Sequence, residues 1–259
     1  MIINKATFTF ALFGLLSIGS ITAPLSAAEL DKQALRKAIS GPDREVTDYV
    51  RDAVRKPVEV LGFLGLEPGM RVLDLYAAGG YYTFILSKAV GSDGVVFAQN
   101  TPRGLRYEED RQDITQGEAL EAKIRDGNLT NVSQLVRRLA DIGLAKDSLD
   151  LIIATQILHD YYNPNPERAL EMLQRLKALL KPGGILGITD HLGLAGLDND
   201  DMHRMEKQQA IDIAKRAGFI IAGDSDLLAS DSDDHSRSIF DPRLNRNTDR
   251  FLLKLQKPF

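Results

Sequence analysis

The chain has 259 residues, 44% of them hydrophobic and 26% charged, enough for a full core in one decorated α/β domain or in two small domains. A net charge of -4 with both signs mixed excludes the basic footprint of a nucleic-acid-binding protein. The absence of cysteine excludes thiol catalysis, zinc-ribbon sites and iron–sulfur clusters.

Lys5 precedes an apolar, uncharged stretch from Ala6 to Ile21, which Pro24 breaks before Ser26-Ala27-Ala28. Small residues at the last and third-last of these positions complete the anatomy of a secretory signal peptide over residues 1–28. The run is shorter than the ~20 residues a membrane span needs. A periplasmic or secreted protein, with no stable membrane span after cleavage, is therefore expected to begin near Glu29.

From Leu30 to Leu64 the spacing predicts helix, with Val46, Val50 and Val54 on one face and Pro57 kinking or dividing it. Arg51, Asp52, Arg55 and Lys56 then read as a solvated face with local ion pairs. Strands and helices alternate beyond Met70. Met70–Tyr76 is a strand, Tyr82–Ala89 a helix, Gly94–Gln99 a second strand, Glu108–Arg125 a polar helix and Val132–Arg138 a weaker third strand. Leu149–Thr155 is a near-continuous apolar run, as expected of a strand buried on both faces. Pro166–Leu180 is an amphipathic helix stopped by Lys181-Pro182-Gly183-Gly184, whose Pro-Gly pair suits a type II turn. Ile185–Thr189, Phe219–Ala222 and Arg250–Leu255 are strands five to seven, with a helix over Met202–Ala217. No helix precedes the last strand, so it is expected to insert antiparallel into a mostly parallel, Rossmann-like, doubly wound seven-stranded sheet. The organisation read from this is a helical cap over 29–66 and one α/β domain over 67–259.

The most informative stretch is Arg71-Val72-Leu73-Asp74-Leu75-Tyr76-Ala77-Ala78-Gly79-Gly80-Tyr81-Tyr82-Thr83, an apolar strand ending on a carboxylate, a turn of small residues, then a helix start. Such a turn lets a ligand lie against the backbone while the new helix aims free N–H groups at it. The pattern resembles the first motif of class I S-adenosylmethionine-dependent methyltransferases. Ser148-Leu149-Asp150-Leu151-Ile152, Leu158-His159-Asp160, Leu179 to Leu186 and Thr248 to Lys254 resemble later landmarks of that family, in the same order. The chain also resembles a group of uncharacterised exported methyltransferases, through Arg51-Asp52, Arg55-Lys56-Pro57, the Gly-Gly-Tyr-Tyr-Thr turn and Phe240-Asp241-Pro242.

The resemblance implies S-adenosylmethionine as cofactor and a small-molecule methyl acceptor. It places Asp74 beneath the glycine loop and the methionine end of the cofactor, with Gly79 and Gly80 allowing close approach. Asn100 would face the ribose, and Asp141 the adenine amino group. Two departures stand out. Tyr76 and Ala78 occupy positions where the class has glycine, and Gln99-Asn100 replaces the usual ribose-binding acid, which removes a charge-assisted hydrogen bond. Weaker cofactor binding than in a typical member is expected. A non-catalytic periplasmic binding or accessory protein on the same fold is the alternative these departures favour. A nicotinamide oxidoreductase would need Gly-x-Gly-x-x-Gly, which Ala78-Gly79-Gly80-Tyr81-Tyr82-Thr83 does not supply.

For proton removal, His159 lies just past the fourth strand and titrates near neutrality when unperturbed, with Asp160 placed to orient it. A helix-capping or core histidine is the competing reading. His191, beside Asp190, is the second candidate base, and Tyr81 and Tyr82 are placed to close over a pocket. His159, His191, His203 and His235 share no ligand spacing, so no metal site is expected. The acidic run from Asp224 to Asp234 lacks calcium-loop spacing and reads as a solvated loop.

Overall fold

The computed structural model describes residues 1–2, 29–103 and 113–259. All but the first two residues of the expected signal peptide, and the start of the helix expected from Glu108, lie outside the described residues. In chain order the elements begin with α1 (Lys32–Ile39), α2 (Val46–Arg55), α3 (Pro57–Leu64), β1 (Arg71–Leu75), α4 (Tyr81–Val90) and β2 (Val95–Asn100). Then come α5 (Gln116–Asp126), β3 (Val132–Val136), β4 (Leu149–Thr155), α6 (Leu158–Tyr162) and α7 (Pro166–Leu179). The last four are β5 (Leu180–His191), α8 (Lys207–Arg216), β6 (Ile220–Ser225) and β7 (Arg250–Gln256). No described helix is long and apolar enough to cross a membrane.

The seven strands form one sheet in the order β3-β2-β1-β4-β5-β7-β6. Only β7 runs antiparallel, inserted between β5 and β6 as its helix-free approach predicts. Side chains alternate between the two faces along each strand. Leu73, Leu75, Ile152 and Ala154 join the layer of α7 and α8, whereas Val72, Leu151 and Ile153 join that of α1, α3 and α4. The N-terminal helices are thus part of the core. Leu64 of α3 presses on Gly187 so closely that a Cβ there would lie 2.3 Å from Leu64 Cδ1. Pro57 divides the helical region. Lys56 takes a φ of 40° between α2 and α3, and Pro57 opens α3 where its missing N–H is not needed.

The α2 helix is inverted relative to its pattern. Val46 and Val50 are 77% and 75% exposed, while Asp48 and Arg51 are buried. Partners explain the reversal. Asp48 accepts from Lys123 Nζ at 2.5 Å, the buried Arg44 grips Asp52 at 2.6 and 2.7 Å, and the Tyr81 hydroxyl donates to Asp52 at 2.7 Å. Ionic groups paired in this way tolerate burial that an unpaired charge would not. The charged face, expected in solvent, packs instead over the residues that follow β1 and β4.

Three other expectations are corrected. Strand β5 starts at Leu180, before the expected turn, because its pairing with β4 jumps from Leu180 to Ile185 and loops out Pro182-Gly183, with Gly183 at a φ of 77°. Helix α8 starts at Lys207 rather than Met202. The preceding residues form turns instead, anchored by Arg204, whose buried guanidinium donates to both Asp233 oxygens (2.9 and 3.0 Å) and to the carbonyls of Leu192 and Arg237. Asp233, expected in a solvated loop, is therefore buried. Breaking a buried pair strands the remaining charge. Arg204→Ala is expected to lower unfolding free energy in urea by about 3–5 kcal/mol. Asp226→Ala, in the same acidic run but with a side chain 90% exposed, should stay within about 0.5 kcal/mol of the parent.

Candidate active site

The order β3-β2-β1-β4 places a topological switch between β1 and β4, and ligands of open α/β sheets bind beyond the strand ends at such a point. The loop after β1 sits there. Tyr76 and Ala78, where glycine was expected, adopt positive φ of 52° and 50°, and Gly80 follows at 86°. The backbone thus has the glycine-type conformation without the glycines, at a strain of about 1–2 kcal/mol per residue.

Two amides from the end of β2 hold it. Gln99 Oε1 accepts from the Tyr76 N–H at 3.1 Å, and its Nε2 donates to the Arg137 carbonyl at 2.6 Å. Asn100 Oδ1 accepts from the Ala78 N–H at 3.0 Å while its Nδ2 donates to the Ala78 carbonyl at 2.9 Å. A carboxylate at position 100 would lack the second donor. The residue substitution at the loop and that at the strand end are therefore one device. Gly80 caps α4, and a Cβ there would meet Leu120 Cδ1 at 2.7 Å.

Asp74 is buried beneath this loop and accepts from the Thr83 hydroxyl at 2.6 Å. Burial pushes its carboxyl up to about 7, against the lowering effects of the Thr83 hydrogen bonds and the Arg55 charge. Asp141, by contrast, lies in a short 3-10 turn (Leu139–Asp141) with a side chain 61% exposed and paired to Arg138 at 2.7 Å. No hydrogen bond among the described residues ties it to the loop.

A second cluster stands beyond β4 and β5. Asp190, fully buried, accepts three N–H groups: His159 N at 2.9 Å, His191 N at 2.8 Å and, through Oδ1, His159 Nδ1 at 2.8 Å. The other ring nitrogen of His159 lies 3.2 Å from Asp160 Oδ1. Burial lowers the affinity of this ring for its proton, but Asp160 and Asp190 outweigh it and bring the pKa up to about 10. Between two carboxylates the ring holds its proton more tightly than a free imidazole, which weighs against its expected role as a base.

His191 is the reverse case. Burial, then the charges of Arg250 and His159, depress its pKa well below the usual imidazole value. Thr248 Oγ1 accepts from Arg250 Nε at 3.0 Å and is hydrogen-bonded to His191 Nδ1 at 2.8 Å. The ring is thus held in the neutral form, fixed by Thr248.

A cavity of about 500 Å³ opens over His191, between α2 and the 239–250 segment. Arg55 and Arg250 both line it. Arg55 stacks on the Tyr81 ring at 4.6 Å and reaches Gln156, and Arg250 donates to Thr248 and to the carbonyls of Val54 and Arg246. Among the described residues no carboxylate pairs with either guanidinium. The two clusters meet through the Tyr76 and Tyr161 hydroxyls, which are hydrogen-bonded. Arg55, Thr83, Thr248 and Arg250 stood in the sequence only as parts of motifs or of a helix face, because their roles rest on contacts with Tyr81, Asp74, His191 and the Val54 carbonyl that the fold makes. Asp190 was visible there only as the neighbour of His191.

The family model described as "Methyltransferase domain" matches residues 66–226. No curated protein matches the chain. Among solved structures, a SAM-dependent methyltransferase from Aquifex aeolicus superposes with a TM-score of 0.58 at 21% identity, covering 88% of this chain and 100% of its own. The [4+2]-cyclase SpnF gives 0.56 at 16% identity, covering 87% and 92%. An arsenic(III) S-adenosylmethionine methyltransferase from Chlamydomonas reinhardtii gives 0.53 at 16%, covering 87% and 73%. These likenesses establish the fold.

The raised Asp74 has a thermodynamic consequence. Its folded value of about 7 exceeds the unfolded 3.8, so the folded state holds the extra proton and the residue's contribution to stability falls as pH rises from 4 through 7. Asp74→Asn keeps an acceptor for Thr83 and removes that slope. It is expected to raise stability by at least about 1 kcal/mol at pH 8 and by nothing near pH 4, measured by urea unfolding at both.

Proposed function

Since the chain belongs to the methyltransferase-domain family, we propose that it transfers the methyl group of S-adenosylmethionine to a small acceptor carrying an anionic group. The observation that carries the cofactor reading is the left-handed Tyr76–Gly80 loop, held at the switch point by Asn100 and closed by the N-terminus of α4 over buried Asp74. That donor set suits the cofactor. The N–H groups at the start of α4 suit its carboxylate, and a buried carboxyl raised to about 7 suits its ammonium. Bound there, S-adenosylmethionine supplies an electrophilic methyl on a sulfonium leaving group.

The chain's own part is to align and to exclude water. The acceptor cavity lies over β4 and β5, beside the cofactor loop, with Arg55 at the boundary between them. Buried or half-buried guanidiniums without a carboxylate favour an oxyanion, so Arg55 and Arg250 orient the acceptor by its negative group. His191 lines the cavity beside them. An envelope address rests on the sequence of residues 5–28 alone.

Calorimetric titration of the folded chain from residue 29 with S-adenosylhomocysteine tests the reading. Binding in the micromolar range is expected, with at least tenfold loss in Gly80→Val, where both the positive φ and Leu120 oppose a side chain. A folded parent that binds neither S-adenosylhomocysteine nor S-adenosylmethionine would contradict it. Binding without transfer to any small anionic acceptor would favour the accessory-protein reading.

A further inference from the structure

We propose that His159 Nε2, Asp160 Oδ1 and His203 Nδ1 form a site for a divalent transition metal. The sequence separates His159 from His203 by more than forty positions and shows no ligand spacing. The fold brings their three ligand atoms within 4.8 Å of one another. Asp160 Oδ1 stands 3.2 Å from the first histidine and 3.6 Å from the second. Ligands about a tetrahedral ion at ~2.0–2.2 Å are separated by roughly 3.3 Å, so the spacing suits a shared ion. At 3.6 Å the second contact is too long for a hydrogen bond.

The surroundings are those of a built site. Metal-bound histidines characteristically give their other N–H to a carboxylate, which fixes the ring and raises its basicity. Asp190 does this for His159 at 2.8 Å, and it also takes the His159 backbone N–H, so ring and backbone are both fixed. His203 sits at a φ of 53°, a conformation a non-glycine residue keeps only when its neighbours enforce it. Here Arg204, anchored on Asp233, follows it directly, and Phe240 packs edge-on at 4.9 Å between ring centroids. Two imidazoles and one carboxylate with no cysteine suit zinc, cobalt or manganese rather than a soft metal. Asp160 and His203 are half-exposed, which leaves coordination positions open. The cluster neighbours the cavity through residues that line it: Phe240, packed on His203, and His191, whose ring centroid lies 6.2 Å from that of His159.

The role, unlike the binding, rests on the methyl-transfer reading. A metal held by His159, Asp160 and His203 would acidify a coordinated acceptor hydroxyl, whose proton would pass to solvent before its oxygen attacked the methyl carbon and the C–S bond broke toward sulfur.

The test is made without S-adenosylmethionine, so it stands whether or not the cofactor reading does. The chelator-stripped, folded protein is titrated with Co(II) and read by its visible d–d absorption, then competed with Zn(II). One equivalent per chain is expected, with intensity of a four- or five-coordinate site. His203→Ala and Asp160→Ala, at half-exposed positions, should each lose at least about 100-fold in affinity, and Asp190→Asn about 10–100-fold. His235→Ala, whose ring pairs with Asp249 elsewhere, should leave binding unchanged. A folded parent with no saturable Co(II) spectrum, or one that His203→Ala does not alter, overturns the assignment.

Discussion

The crossover that takes the chain from β3 to β4 on the other side of β1 is the constraint from which the site follows. With β2 and β3 on one flank and β4, β5 and β7 on the other, the carboxyl ends of β1 and β4 diverge, and the loops after them cannot close over the gap. The Tyr76–Gly80 turn opens on one side of that gap, and α6 with its His159 opens on the other. The polar groups at the strand ends are in turn held by hydrogen bonds, Asp74 to Thr83, Asn100 to Ala78 and Asp190 to His159 and His191. The pairing of Asp74 with Ile153 and of Thr155 with Thr189 sets the levels at which the clusters stand.

Across that edge lies a helix turned inside out. With α2 presenting Asp48, Arg51 and Arg55 inward, the ceiling of the cleft is ionic, while His191, Thr248 and Arg250 line it from the strand ends. The ion pairs to Arg44 and Lys123 neutralise one end of this ceiling, and the Arg55–Arg250 end keeps its positive charge. A cleft so polarised attracts anions, and positions them best where the guanidiniums are already held by stacking and by carbonyls. The fold alone does not dictate methyl transfer, as the [4+2]-cyclase of the same architecture illustrates. What distinguishes this chain is the set of groups on its strand ends.

Much of the sheet was legible because parallel strands buried on both faces read as apolar runs, as Leu149–Thr155 does, and because a helix-free approach to Arg250 permits only an antiparallel entry. The loop after β1 was legible as a ligand-binding turn from its small residues. Its departures were legible only as losses. That Asn100 compensates for Ala78 depends on a donor and an acceptor meeting one backbone unit across 22 residues. The reversal of α2 was hidden for a related reason: helical periodicity reports which residues share a face, and burial then goes to the apolar face unless charged partners outbid it. Lys123, on α5, supplies that bid from 75 residues away. The histidines were named, but their proton states depend on Asp190 and Thr248, which no spacing rule connects to them.

The central claim is that the cofactor lies against the β1–α4 turn and the end of β2. Hydrogen-exchange mass spectrometry with and without saturating S-adenosylhomocysteine tests it most directly, because it reports where protection appears. The account predicts slowed exchange over residues 76–84 and 95–100, with α7 unchanged. Protection confined to other elements, or none on a protein that binds the ligand, would contradict it.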